Sequence, residues 1–181
     1  AAGLATFTNL AITGTVGPRT LRFTSGTLSQ ALSGSVTTTA GAATQIAVNA
    51  GNGQSATVNT AVAVPPSVVR DVSGNPVSGV SVTFAVASGG GSIVPVTPAT
   101  TNASGIAALT SWTLGTIAGG NTVTATSGTL TGSPVTFTAT GNAGAATQLQ
   151  LATQPSPTAQ SGVALAVQPA VRLADAFGNL V

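Results

Sequence analysis

Asp71-Val72-Ser73-Gly74-Asn75-Pro76-Val77-Ser78-Gly79-Val80-Ser81-Val82-Thr83-Phe84 is the stretch that decides the fold. Its first half is turn chemistry. The Asp71 carboxylate can accept backbone N–H bonds, Gly74 permits a positive φ, and Asn75-Pro76 leads into the next strand. Its second half alternates: Val82, Phe84 and Val86 are apolar, with Ser81, Thr83 and Ala85 between them. A period of two is the signature of a strand with one buried face. The turn returns 104 positions later as Asp175-Ala176-Phe177-Gly178-Asn179.

Other segments recur at nearly the same distance. Gly3-Leu4-Ala5 matches Gly105-Ile106-Ala107, and Ser25-Gly26-Thr27-Leu28 matches Ser127-Gly128-Thr129-Leu130, both 102 positions apart. Ala40-Gly41-Ala42-Ala43-Thr44-Gln45 matches Ala143-Gly144-Ala145-Ala146-Thr147-Gln148 at 103. Offsets that grow by single residues describe one ancestral unit with small loop insertions. A period near 100 suits an array of domains, since solenoid repeats run roughly 20 to 50 residues. The expected organisation is a C-terminal part of one repeat at 1–43, a complete repeat at 44–146, and an N-terminal part of a third at 147–181. Neither outer part has a counterpart of 78–100. The sequence therefore reads as cut from something longer at both ends, with complementation of partial ends between chains as the alternative.

Within 44–146, alternation predicts further strands at Ile46-Val48-Ala50, Val58-Thr60-Val62-Val64, Val123-Ala125 and Val135-Phe137-Ala139, with Ile106–Leu114 as a less regular candidate. In the third part, Val163, Leu165 and Val167 repeat the alternation. Pro65-Pro66 cannot donate ladder hydrogen bonds and suits an edge or a change of sheet. Turn signals fall at Gly51-Asn52-Gly53, Gly89-Gly90-Gly91, Gly119-Gly120-Asn121 and Thr131-Gly132-Ser133-Pro134. About seven short strands in roughly 100 residues describe an immunoglobulin-like sandwich. The predicted class is all-β, in tandem and without disulfides, since the chain has no cysteine.

The motif Asp71 to Val77, followed by Gly79 to Phe84, resembles the group 1 bacterial Ig-like domains of the invasin and intimin type. Asn102-Ala103-Ser104-Gly105-Ile106-Ala107 and Thr122-Val123-Thr124-Ala125 fit the same family pattern. This resemblance implies sandwiches strung as the stalk of a surface adhesin or the shaft of an extracellular filament on a bacterial cell. The implied partners are neighbouring repeats in cis and identical subunits in a filament. In the third part Leu180 stands where the motif has proline, which weakens that turn.

Composition narrows the function. Charged residues are 3% of the chain, and mean hydropathy is +0.47; disorder needs much charge and little hydrophobicity. The cations are Arg19, Arg22, Arg70 and Arg172, the anions Asp71 and Asp175, and the net charge is +2. Four scattered arginines cannot neutralise a run of phosphates, so no nucleic-acid partner is expected. No apolar run approaches the roughly 18 to 20 residues of a membrane span. With no His, Lys, Cys or Glu, nothing can activate the serines and threonines as nucleophiles, so no enzyme and no cofactor are expected.

Asp71 and Asp175 are weak calcium candidates, because calcium takes six to eight oxygens, usually with several carboxylates. The structural reading assigns them, with Gly74, Asn75, Pro76, Gly178 and Asn179, to turns. Trp112, Phe84 and Phe137 read as packing residues, and Trp112 alternatively as a sugar-stacking platform for an adhesive, carbohydrate- or receptor-binding module. Rows of alternating threonine at 122–126 and 136–140 raise an ice-binding reading, against which outward threonines on ordinary strands are the plain one.

Overall fold

The computed structural model describes residues 3–181. The architecture is all-β, with no helix among the described residues. Strands β3 (Ala43–Val48), β4 (Gln54–Thr57), β5 (Ala61–Val62), β6 (Pro66–Asp71), β7 (Ser81–Ser88), β8 (Ser92–Val94) and β9 (Ala99–Thr100) open the central body. Strands β10 (Ile106–Ala108), β11 (Ser111–Thr113), β12 (Gly119–Thr126) and β13 (Val135–Asn142) complete it. One sheet has the order β4-β13-β12-β7-β9; opposite it lie β10-β6-β3 and β5-β11-β8.

Alternation places the core. Along β13, Val135, Phe137 and Ala139 are buried while Thr136, Thr138 and Thr140 are exposed. Val82 and Phe84 on β7, and Val123 and Ala125 on β12, face the same interior. Ile46, Val69, Ile93, Ala107 and Trp112 meet them from the other sheets, forming a single apolar cluster. Removing that apolar surface from water is the main force holding this disulfide-free sandwich together.

Three segments depart from the expected strands. The alternation from Val58 to Val64 does not form one strand. Asn59 takes φ 58°, and Thr60 closes a turn onto the Thr57 carbonyl. Val58 is nonetheless buried, so the pattern marks burial at a strand end. The chain then passes through Pro65 from β5, paired with β11, to β6, paired with β10 and β3. Ile106–Leu114 is likewise two strands: β10 pairs with β6, and β11 with β5 and β8. A strand that changes sheets buries residues from both halves, which blurs its period. Val163 to Val167 is irregular, and Val163 and Val167 are exposed.

Two antiparallel pairs flank the body: β1 (Gly17–Phe23) with β2 (Ala31–Thr38), and β14 (Gln148–Thr153) with β15 (Ala170–Ala174). Leu149, 103 positions after Ile46, is 68% exposed where Ile46 is 3% exposed. Leu173 is exposed where Val69, 104 positions earlier, is buried. On the other flank the Phe7 and Phe23 rings pack at a tilt of 34°, with centroids 5.3 Å apart.

Candidate functional site

The strongest side-chain constellation outside the core is the turn that ends β6, and it is built twice. The Asp71 amide donates to the Asn75 carbonyl at 2.9 Å, and the Gly74 amide to the Asp71 carbonyl at 3.0 Å. Gly74 sits at φ 82°, which only glycine adopts without strain. The Asp71 carboxylate accepts four N–H bonds. Oδ1 takes the amides of Ser73 (2.9 Å) and Asn75 (2.8 Å); Oδ2 takes the Gly41 amide (2.8 Å) and Asn75 Nδ2 (3.0 Å).

Asn75 carries the contact further along the chain. Its Nδ2 donates to the Gly14 carbonyl at 3.0 Å, and its Oδ1 accepts the Val16 amide at 3.0 Å. Two side chains thus bind the segment before β3 and the loop before β1 to the central body. Gln45 adds a bond from Nε2 to the Asp71 carbonyl.

The same set recurs at the other end. Asp175 Oδ1 accepts the Phe177 and Asn179 amides, and Oδ2 accepts the Gly144 amide (2.8 Å) and Asn179 Nδ2 (2.9 Å). Asn179 Nδ2 donates to the Thr116 carbonyl at 2.8 Å, and its Oδ1 accepts the Ala118 amide at 2.7 Å. Gln148 Nε2 donates to the Asp175 carbonyl. Gly178, at φ 88°, takes the place of Gly74. Donor for donor, the two joints coincide.

Four N–H groups aimed at each carboxylate stabilise its charged form. The Asn75 side-chain bond leads in holding the Asp71 carboxyl at about 2, with the Gly41 amide next. Burial pushes Asp175 up, but the bonds from Asn179, Gly144 and Phe177 outweigh it and bring it also to about 2. A carboxyl lowered on folding contributes stability above its unfolded pKa and loses it as pH falls through the folded one. The stabilisation that the two carboxylates give the joints is therefore full at neutral pH and is lost between about pH 4 and 2. The chain has no Glu, His, Cys, Tyr or Lys. Thermal unfolding should accordingly be flat from about pH 5 to 9 and fall only in that acid window.

The same geometry bears on calcium. Each carboxylate is surrounded by the positive ends of N–H dipoles, a receptor for an anion, and the two aspartates lie in separate joints. Among the described residues no three acidic, His or Cys side chains gather into a metal-binding group.

Pro76 follows Asn75 and bridges back to Arg70. Arg70 does not pair with Asp71: its Nη1 donates to the Gly74 carbonyl at 2.7 Å. Trp112, Phe84 and Phe137 are buried, so none offers a face for sugar stacking. A groove of about 490 Å³ lies beside the second joint, lined by Gly89, Gly90, Gly91 and the 114–120 loop. It holds no ionisable group. A Cβ on Gly91 or Gly115 would strike the facing backbone, so these glycines let two loops approach closely.

Sequence reasoning singled out the aspartates, asparagines and glycines of the turns. It marked Gly41, Gln45, Gly144 and Gln148 only as members of the repeated Ala-Gly-Ala-Ala-Thr-Gln segment, not as partners of the aspartates. Gly14, Val16, Thr116 and Ala118 left no signal, because each contributes only a backbone group.

No protein-family model and no curated protein matches the chain. Solved structures do. InvD from Yersinia pseudotuberculosis superposes with a TM-score of 0.50 at 17% identity, over 92% of this chain and 52% of that one. The fold is an Ig-like β-sandwich. The Ig-like chain is also similar to the Escherichia coli adhesin FdeC (TM-score 0.47, 18% identity, 80% of this chain and 45% of that). The D00-D0 domain of intimin matches with a TM-score of 0.44 at 19% identity, over 63% of this chain and 56% of that. The chain spans about half the length of the InvD and FdeC chains.

Proposed function

We propose that this chain is part of a non-catalytic spacer: a tandem array of Ig-like units forming a stalk or filament shaft on the bacterial cell surface. The observation that carries this reading is the duplicated joint. The same aspartate and asparagine, 104 positions apart, each fasten an incoming linker glycine and a loop of the unit before it. Such a joint restrains the angle between neighbours, which is what a spacer requires and an isolated domain does not. The Ig-like fold and the near absence of charge agree with units stacking end to end, since little electrostatic repulsion opposes their approach.

Small-angle scattering and a glycan-array screen on the full chain test it together. A spacer gives one elongated particle whose curve fits a single conformation, and a silent array. A saturable, sugar-specific signal would overturn the reading in favour of an adhesive module.

A further inference from the structure

The second and the last strands of the central body run parallel. In β4 and β13, Gln54 pairs with Ala139 and Thr57 with Asn142, both strands pointing the same way. The pairing extends beyond these strands at both ends. Thr131 donates its amide to the Thr44 carbonyl and accepts the Ile46 amide, each at 3.0 Å. The Gly53 amide reaches the Thr138 carbonyl, and the Val58 amide the Asn142 carbonyl, both at 2.9 Å. Asn52 Oδ1 pins Thr138 by its amide (2.8 Å) and its hydroxyl (3.0 Å). The close approach at β3 needs Gly132, whose Cβ would strike the Ile46 carbonyl. Ile46 and Val58, whose amides belong to this seam, are buried.

From this topology we infer that each unit is a tension-bearing element, with the seam of β3 and β4 against the 131–142 segment as its mechanical clamp. The inference rests on the spacer reading for the source of the load. Force carried along an array enters at Ala43 and leaves at Asn142, which lie at opposite ends of the parallel seam. The strands are then pulled past each other, and the cross-strand bonds are loaded together. The antiparallel pair β12–β13 pulled from its open end would instead lose its bonds one at a time. Resistance to forced unfolding follows the unfolding barrier along the pulling direction, so the same sandwich is strong along one axis and weak along another.

Because the chain contains no cysteine, two introduced thiols are unique handles. Single-molecule pulling on the full chain compares Thr39→Cys with Ala145→Cys against Thr39→Cys with Thr129→Cys, all three sites being exposed. The first pair shears the seam; the second peels it from one end. A several-fold higher unfolding force is expected for the shearing pair at equal loading rate. Asn52→Ala should lower the force in that geometry and leave the peeling force unchanged. Equal forces for the two handle pairs, or an equal loss in both from Asn52→Ala, would overturn the clamp. The spacer reading would stand in that case, because scattering and glycan binding do not depend on the pulling axis.

Discussion

Trp112→Ala should destabilise the central sandwich by about 3–5 kcal/mol, the usual cost of emptying a buried aromatic site. Trp112 is fully buried on β11, opposite Val62 and Ile93. Its indole joins the short sheet to the cluster that Phe137 and Val123 close from the other side. A single domain has only about 5–15 kcal/mol in hand, so the variant should sit near the edge of folding. Denaturant titration followed by circular dichroism measures it, because the variant lacks the chain's one tryptophan. A loss under about 1 kcal/mol, typical of surface or partly exposed sites, would mean that Trp112 is not a core residue.

Asp71→Asn is the second large effect, and it is local. An amide cannot accept at both ends, so one of its edges turns an NH₂ group toward two N–H donors that now point at the carboxylate. Whichever way it lies, the four-bond cradle is lost. Amide exchange at Gly41 and Val16 should accelerate toward the rates of open loops, while β12 and β13 stay protected. Asp175→Asn should do the same to Gly144 and Ala118 and spare the first joint, an internal replicate within one molecule. Unchanged exchange at Gly41 would show that the carboxylate is not what holds the linker.

The parts legible in the sequence were those where one residue faces one environment. β7, β12 and β13 alternate cleanly because each has a buried face and a wet face throughout. Where the chain changes sheets, at Pro65 and again between Ala108 and Ser111, burial stops following a single period, and one expected strand became two. Val163 to Val167 carries the alternation of a strand without forming one. Alternation supplies a face, but a strand also needs a neighbour to take its hydrogen bonds. The joint was half legible for a similar reason. Asp71 and Asn75 announce a turn by their chemistry, whereas the groups they hold at Gly14, Val16, Thr116 and Ala118 are peptide bonds, which any residue supplies.

Residual dipolar couplings from the intact chain in a weakly aligning medium put the matter to trial. If Asp71 and Asn75 hold neighbouring units at one angle, the amides of β1–β2 and those of the central sandwich will fit a single alignment tensor, and Asp71→Asn will split it in two. Separate tensors of different magnitude in the unaltered protein would mean that the units turn freely about Gly41, and the rigid spacer would be contradicted.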